Sequence, residues 1–339
     1  MKRTGTILVL VWVLFLSACG GAPAEPFRAE FLSMDTVMRL TLYGKAGKQA
    51  AALAQERVEA LEHLLSVTDE GSDIYAANHS GGEAVTLHEE TAALLERALA
   101  LCDETGGALD VSIYPVVRTW GFTTGEYRVP GEAELAELLE NVDYTRIALD
   151  GGALTLPEGM ELDLGAVAKG WAGDTLMELL AETGVSSAIV ELGGNVQALG
   201  ARPDGSPWRV AVQAPDGSGY AGALEIVDRA VITSGGYQRC FEQDGETYWH
   251  IIDPATGRPA RSGLTSVTVV AEEGVVGDAL STALFVLGRE GAEQLWRERG
   301  GFECILMEED GTVAVTQGLE DCFSLYGDWV DHPLEIIRK

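Results

Sequence analysis

The sequence is poor in basic residues. It has 23 Lys and Arg against 53 Asp and Glu, which gives a formal net charge of −30. Proteins that bind nucleic acid need clustered Lys and Arg, so this composition argues against a nucleic-acid partner. An anionic ligand would need a local positive charge, such as a metal ion, to offset the protein's negative electrostatic field. The hydrophobic content of 46% still supplies ample material for a core.

Clustered soft-metal ligands are also lacking. Besides Cys19 the chain has four scattered cysteines, and no CxxC or Cys/His spacing predicts a zinc site. Export would permit disulfides, but cysteines spread this widely are as consistent with core thiols as with bridges. Both states are therefore open for Cys102, Cys240, Cys304 and Cys322.

Long apolar runs are confined to the N-terminus. No later run reaches, without charges, the roughly 20 residues that a transmembrane helix needs. Residues 7–16 are apolar, follow Lys2 and Arg3, and lead into Leu-Ser-Ala-Cys. This combination is typical of the signal peptide of a bacterial lipoprotein, in which Cys19 is acylated. An ordinary secretory peptide and a buried helix are the alternatives.

These features predict three parts of the chain. Residues 1–18 would be the signal peptide, 19–29 the lipidated Cys19 with a flexible tether, and 30–335 one large catalytic domain. Loss of the two basic residues of the signal would take the net charge to −32. The mature protein is expected to be exported and lipid-anchored to the outer face of the bacterial cell membrane, or to a membrane facing the periplasm.

The pattern of elements predicts an α+β fold. Runs of helix are separated from runs of hairpin-linked strands, which favours mainly antiparallel sheets packed with helices. Helices are predicted at 48–65, 89–105, 132–139, 166–182, 277–287 and 290–299. Strands are predicted at 31–43, 146–149, 153–156, 187–192, 208–213, 222–227, 230–234, 248–252 and 265–271.

Two stretches combine a carboxylate with features of a ligand site. In ELDLGAVAKG (161–170), Asp163 and Lys169 flank a Gly-Ala turn that opens a helix, and helix-start N–H groups favour anions. The alternative is that Asp163 caps the helix and Lys169 is a solvated surface residue. In GALDVSIYPVVRTWGF (107–122), Asp110 stands among apolar and aromatic residues. That mixture suits a planar, partly polar ligand or a buried turn cap.

An HxxD unit ends a predicted strand. His250 and Asp253 flank an apolar dipeptide, ahead of a Pro-Ala-Thr-Gly turn. This arrangement suggests acid/base or phosphate chemistry, although a lone His is often only structural.

The stretch GVVGDALSTALFVLG (274–288) places three oxygen-bearing side chains in an apolar helix. Asp278, Ser281 and Thr282 follow i, i+3, i+4 spacing and so share one helix face. Carboxylate and hydroxyl oxygens suit Mg²⁺, which often shares its shell with substrate phosphates. Alternatively, Asp278 is the N-terminal cap and the two hydroxyls bond back to helix carbonyls. Taken together, the four stretches supply what a phosphoryl-transfer enzyme needs.

Eight motifs, in order, resemble the ApbE family of FAD:protein FMN transferases (flavin transferases). The resemblance covers nearly the whole mature chain and implies the family's fold. The motifs are Met34-Asp35-Thr36, DEGSDIYAAN (69–78), GALDVSIYPVVRTWGF (107–122), ELDLGAVAKGWAGD (161–174), ELGGN (191–195), SGGYQRCF (234–241), HIIDPATGRP (250–259) and GDALSTALF (277–285).

The resemblance implies a reaction and its residues. FAD would bind with Mg²⁺ on its pyrophosphate, a Thr or Ser hydroxyl of a target protein would attack the FMN phosphorus, and AMP would leave. His250 and Asp278 would be catalytic. The metal would be held by Asp278 and Thr282, with Ser281 nearby, and by the backbone carbonyl of Ala166. FAD contacts would fall on Met34, Ala108, Leu109, Asp110, Asp163, Lys169 and Ile252.

One position departs from the family pattern. Thr68 stands where many members carry an aromatic residue beside the flavin, so that contact must come from elsewhere or the affinity is lower. Tyr75 lies close by in the sequence. The group that deprotonates the acceptor is not defined by the resemblance.

The resemblance also implies protein partners. These would be flavin-carrying subunits of membrane redox complexes of the Rnf or Na⁺-translocating quinone reductase type, which bear an acceptor pattern near Asp-Gly-x-Thr/Ser-x-Ala-Thr. The chain itself contains no such string. Two other activities fit the same residues: a metal-dependent FAD pyrophosphatase that yields FMN and AMP, and a lipoprotein that binds flavin without turnover.

Overall fold

The computed structural model describes residues 25–217 and 219–339. The predicted signal peptide (1–18), the predicted lipidation site at Cys19 and most of the tether lie outside the described residues. Seven α-helices are found within the described residues: α1 Gly47–Leu65, α2 Asp73–Asn78, α3 Glu89–Glu104, α4 Tyr114–Thr119, α5 Glu132–Leu139, α6 Ala168–Glu182 and α7 Gly274–Arg299.

Nineteen strands, several of them very short, occur in the same part of the chain. They are β1 Phe27–Ser33, β2 Thr36–Tyr43, β3 Val85–Thr86, β4 Ala148–Asp150, β5 Ala153–Thr155, β6 Ser187–Leu192, β7 Asn195–Leu199, β8 Trp208–Gln213, β9 Tyr220–Ile226, β10 Ala230–Gly235, β11 Cys240–Gln243, β12 Glu246–Trp249, β13 Ile252–Asp253, β14 Arg258–Pro259, β15 Leu264–Ala271, β16 Phe302–Glu308, β17 Val313–Thr316, β18 Phe323–Leu325 and β19 Leu334–Ile337.

A nine-stranded sheet organises the molecule, in the order β1-β2-β6-β7-β10-β15-β16-β17-β19. Every neighbouring pair in it is antiparallel except β17 and β19. Helices α1, α6 and α7 bury their apolar faces against one side, where α3 packs on α7, and the small sheet β18-β9-β8 packs on the other. The prediction of an α+β fold with mainly antiparallel sheet is therefore confirmed.

The central strand β15 shows why the two layers form. Seven of its eight residues are buried. Val267 and Val269 face the helices, whereas Val270 packs toward the small sheet. A strand covered on both faces carries apolar residues at successive positions rather than at every second one. By contrast, β8 alternates buried and exposed residues, as a strand with one solvated face does.

Helices α6 and α7 cross at unusually close range because glycines lie at the contact. A Cβ added to Gly170 would lie 2.3 Å from the carbonyl oxygen of Gly274. The contact is also hydrogen-bonded in both directions. The Asp174 carboxylate of α6 accepts from the backbone N–H of Gly274 and Val275, and the Asp278 carboxylate of α7 accepts from Gly170 N. Burial raises the pKa of Asp174 to about 6.

Three predicted elements were wrong in extent. The predicted strand 31–43 is a hairpin of β1 and β2, joined by Met34 and Asp35 at φ of 50° and 58°. The predicted strand 248–252 ends at Trp249 and restarts as β13. The predicted helix 277–287 begins earlier, at Gly274, but its predicted separation from helix 290–299 is confirmed, because Gly288 inside α7 has a non-helical φ of 71°.

The four cysteines of the described chain are free thiols. Cys102 and Cys304 are buried, Cys240 is exposed and Cys322 is half-buried. Burial raises the pKa of Cys102 to about 12. Cys102 and Cys304 are therefore core thiols, one of the two states that the sequence left open.

Between residues 25 and 339, Ser218 aside, no helix has both the length and the apolar character needed to cross a membrane.

Candidate active site

A cavity of about 1070 Å³ lies where the α6–α7 contact meets the strand ends of the large sheet. The β1–β2 turn, the β6–β7 turn and the segment after β10 form part of its wall. Eleven of the twelve site residues predicted for this part of the chain line it: Met34, Ala108, Leu109, Asp110, Asp163, Ala166, Lys169, His250, Ile252, Asp278 and Thr282.

Ser281 is the predicted site residue that does not line the cavity. Its side chain is fully buried, and its Oγ lies 2.9 Å from the carbonyl oxygen of Asp278 and 2.8 Å from Ser234 Oγ. Ser234 Oγ is in turn 3.4 Å from Thr282 Oγ1. The alternative of a back-bonded hydroxyl therefore describes Ser281, which lies behind the cavity wall and ties α7 to β10.

Asp278 lies inside α7 and is not its N-terminal cap, since the helix begins four residues earlier. The side chain is 5% exposed and lines the cavity. Oδ2 accepts from Gly170 N at 2.8 Å. Oδ1 has no hydrogen-bond partner among residues 25–217 and 219–339. A buried carboxylate that is only half satisfied is costly unless a cation or a donor binds there.

The same hydrogen bond frees a backbone oxygen. In a regular helix Gly170 N would donate to the carbonyl of Ala166, four residues earlier. Because Gly170 N donates to Asp278 instead, Ala166 O receives no such bond within the described part of the chain. Carboxylate, hydroxyl and carbonyl oxygens thus come from Asp278, Thr282 and Ala166.

This donor set fits a hard divalent cation. In the described ranges, no group of three or more His, Cys, Asp and Glu side chains could hold a metal. A single carboxylate with neutral oxygens suits Mg²⁺, which keeps waters and takes further ligands from substrate phosphates. It does not suit zinc, which prefers nitrogen and sulfur.

Of the three basic residues that line the cavity of this otherwise acidic protein, two act on His250 and the third is Arg39. The two are Lys169, from the first turn of α6, and Arg239, from the segment between β10 and β11. Burial, followed by the charges of Arg239 and Lys169, lowers the pKa of His250 to about 4. The imidazole is therefore neutral at pH 7. Burial is the larger cause, and the two positive charges, which add to it, also favour an anionic ligand.

The backbone of Arg239 orients the His250 ring. Arg239 O accepts from His250 N at 3.1 Å and lies 3.3 Å from His250 Nδ1. A carbonyl oxygen only accepts, so the contact with Nδ1 favours the tautomer in which Nδ1 carries the proton. Nε2 then has a free lone pair.

The depressed pKa of His250 is directly measurable. We expect the NMR signal of His250, assigned by its loss in His250→Gln, to stay at the neutral-imidazole position from pH 8 down to pH 5. At pH 5 a group with a pKa of about 4 is only ~10% protonated. In Arg239→Gln the titration should move toward the usual value, because one of the nearby positive charges is gone. A wild-type midpoint near 6.5 would contradict this electrostatic account.

The predicted acids other than Asp278 stabilise turns. Asp163 Oδ1 accepts from Gly165 N at 2.7 Å, so it caps the turn before α6 rather than the helix itself. Asp110 accepts from Ser112 and from Tyr144 N, and burial raises its pKa. Asp253 closes the turn after β13 and does not line the cavity. Of the HxxD pair, only His250 reaches the site.

Aromatic lining comes from residues that sequence reasoning missed. Neither Thr68 nor Tyr75 lines the cavity, and the Tyr75 ring stacks on His79. Phe122, Tyr127 and Tyr237 do line it. The quoted motifs GALDVSIYPVVRTWGF and SGGYQRCF contain or adjoin these residues and Arg239, but spacing alone gave no reason to single them out.

Comparison with known proteins agrees with the resemblance. The sequence profile of the ApbE family matches residues 34–306. The chain is 36% identical to the FAD:protein FMN transferase of Treponema pallidum, over 92% of this chain and 93% of that protein. It is 32% identical to the Vibrio cholerae protein of the same name, over 84% of this chain and 88% of that protein.

Solved structures agree as well. The crystal structure of the ApbE protein from Thermotoga maritima superimposes with a TM-score of 0.83 at 30% identity, covering 87% of this chain and 98% of that one. The Pseudomonas stutzeri flavinyl transferase ApbE gives 0.79 at 28% identity, covering 88% and 96%. By its sequence profile, its sequence identity and its fold, the chain belongs to the ApbE family.

Proposed function

We propose that this protein is an FAD:protein FMN transferase. It transfers the FMN part of FAD to a Thr or Ser hydroxyl of a target protein and releases AMP. The observation that carries this proposal is the corner between α6 and α7. There the half-satisfied Asp278 carboxylate and the freed Ala166 carbonyl lie in one cavity with Lys169 and Arg239. That corner is suited to a metal-bound pyrophosphate.

The reaction forms one bond to phosphorus and breaks another, and residues of the cavity assist each change. The acceptor oxygen forms a bond to the FMN phosphorus, and the bond between that phosphorus and the oxygen bridging to AMP breaks. AMP leaves with the bridging oxygen, and the hydroxyl proton is lost. Lys169 and Arg239 offset the charge on the phosphates, and the neutral His250 orients the phosphate or accepts the proton at Nε2.

Mg²⁺ would be held by Asp278, Thr282 and the backbone carbonyl of Ala166, and would supply Lewis-acid charge neutralisation at the pyrophosphate. Ser281 would support this set from behind. Flavin contacts are proposed for Met34, Ala108, Leu109 and Ile252, which line the cavity with apolar surface. Phe122, Tyr127 and Tyr237 offer rings in place of the aromatic that is lacking at Thr68. Asp110 holds the 108–112 segment in shape, and Asp163 holds the turn beside Lys169.

Location and partners complete the proposal. We infer acylation at Cys19, which anchors the exported protein to the membrane. The acceptors would be flavin-carrying subunits of membrane redox complexes of the Rnf or Na⁺-translocating quinone reductase type. A lipid anchor keeps the enzyme on the same surface as such partners.

A peptide assay tests the proposal. With FAD, Mg²⁺ and a peptide bearing the acceptor pattern, we expect an FMN-modified peptide and one AMP per modification. The matched peptide with Ala in place of the acceptor Thr should stay unmodified. AMP formed beside an unmodified Thr peptide would indicate a pyrophosphatase, and FAD left intact would indicate a flavin-binding protein. Either result would overturn the transferase proposal.

A further inference from the structure

A second cavity of about 980 Å³ lies beside the first. Its walls come from the β11–β12 hairpin, from the β15 and β16 ends of the large sheet, and from the turn near Trp329. Tyr237 lines both cavities. Gln213 lines the first, whereas Pro215 and Asp216, two and three residues later, line the second. Two separate chain segments, one at Tyr237 and one at Gln213–Asp216, therefore run from the wall of one cavity to the wall of the other.

The β11–β12 hairpin presents different side chains on its two faces. Phe241 and Tyr248 are paired in register and stack on each other at 5.3 Å. Phe241 also packs on Phe122 and Tyr127, which line the first cavity. Cys240 and Trp249 form the next pair and line the second cavity. Alternation along the two strands thus gives the hairpin two different faces.

Gly235 and Gly236 pack closely against two aromatic rings that line the second cavity. A Cβ on Gly235 would lie 2.3 Å from the Tyr237 ring, and one on Gly236 would lie 3.0 Å from the Trp249 ring. The backbone of this segment is therefore in direct contact with an aromatic ring at each of the two glycines. The same segment continues into Gln238 and Arg239, which line the first cavity.

The lining of the second cavity favours a polypeptide over a nucleotide. Its floor is aromatic, with the Arg261 guanidinium 4.2 Å from the centre of the Trp249 ring. Five acidic residues and Arg261 contribute to its lining, the acids being Asp216, Glu246, Glu308, Glu309 and Asp310; Glu308 also pairs with Arg289, and Glu246 accepts from Tyr248 Oη. Such a rim repels phosphates and attracts cationic side chains, and an aromatic floor takes apolar side chains or the stems of Lys and Arg.

We propose that the second cavity binds a polypeptide segment of the acceptor protein, with a Lys or Arg side chain near the acceptor hydroxyl in the sequence. This inference rests on the proposed transferase function, because only that function requires a protein to reach the first cavity. A segment lying over Tyr237 and the Gln213–Asp216 stretch would place its hydroxyl at the first cavity and its cationic flank in the second.

A charge-swap binding experiment tests the docking site independently of turnover. Two fluorescein-labelled peptides carry the same central acceptor string, flanked by Lys in one and by Glu in the other. Binding to the full-length, FAD-loaded protein in detergent is measured by fluorescence anisotropy. We expect the Lys-flanked peptide to bind at least about tenfold more tightly, which corresponds to about 1.4 kcal/mol.

The variant Glu246→Lys/Glu309→Lys should abolish or reverse that preference. Both side chains are exposed at the rim of the second cavity. The matched control Glu56→Lys/Glu96→Lys makes the same charge change at exposed positions that line neither cavity. The control should keep the wild-type preference. If the rim variant keeps it too, or if the control loses it equally, the second cavity is not the docking site.

Cys240 provides a second readout in the unmodified protein. It is exposed and lines the second cavity, whereas Cys322 is half-buried and does not. The Lys-flanked peptide should slow alkylation of Cys240 severalfold and leave that of Cys322 unchanged, measured by peptide mapping. Equal rates with and without peptide would overturn the proposal. Protection without flavinylation of the peptide would support the docking site and contradict the transferase function.

Discussion

Asp278→Asn should lower the rate of FAD turnover about 10³-fold. The substitution keeps the size of the side chain and an oxygen that accepts from Gly170 N, so the α6–α7 contact should persist. It removes the negative charge that offsets a divalent cation. Metal ions supply several kcal/mol of transition-state stabilisation in such reactions, and each 1.36 kcal/mol is a factor of ten in rate.

The control for this variant is Asp174→Asn. Asp174 lies on the same helix pair and loses the same charge, but it does not line the cavity. It should lower the melting temperature slightly and leave turnover within a fewfold of wild type. Mn²⁺ binding, followed by electron paramagnetic resonance, should weaken in Asp278→Asn and not in Asp174→Asn. Equal turnover in Asp278→Asn and wild type would show that the metal is not held at this corner.

Gly170→Ala should destabilise the protein by about 3 kcal/mol and remove most of the activity. The new Cβ would lie 2.3 Å from Gly274 O and 2.8 Å from Asp278 Cβ. Two backbones would have to move apart, and overpacking of this kind costs roughly 1–3 kcal/mol or more. The shift would also break the bond between Gly170 N and Asp278, because both depend on the same close approach.

Denaturant unfolding with Gly131→Ala as the control measures this effect. Gly131 is the N-cap of α5, and a Cβ there would meet nothing within 4 Å. We expect the control to change the free energy of unfolding by less than ~1 kcal/mol. A Gly170→Ala protein as stable as the control would mean that the helix pair adapts easily, and that the site does not depend on this crossing.

The sequence and the family resemblance were sufficient to predict the fold class and eleven of the residues that line the cavity, but not Arg239 or the aromatic lining. Periodicity placed α5 and β6 to the residue, because each has a clear apolar pattern and a turn at both ends. The β1–β2 hairpin escaped prediction because Met34 holds a positive φ, which is unusual for a residue without a short polar side chain. The start of α7 was missed because its first turn is capped by Asp174, a hundred residues away.

The sequence could not show which aspartates stabilise turns and which one is available to a ligand. Asp110, Asp163, Asp253 and Asp278 all stand in apolar surroundings, but three of them bond to the backbone of their own turns. Asp278 instead accepts from another helix, 108 residues earlier, and its second oxygen has no hydrogen-bond partner within the described ranges. That distinction depends on the tertiary crossing of α6 and α7. The same crossing explains how Ala166, which has no side-chain oxygen, could serve a metal.

Isotopic labelling of the products tests the central claim, that the acceptor oxygen of a protein attacks the FMN phosphorus. The reaction is run in ¹⁸O-water with FAD, Mg²⁺ and the acceptor peptide, and the products are analysed by mass spectrometry. A transferase gives equal amounts of AMP and FMN-peptide, with no ¹⁸O in either product. Incorporation of ¹⁸O into FMN or AMP beside unmodified peptide would mean that water is the acceptor, and would contradict the claim.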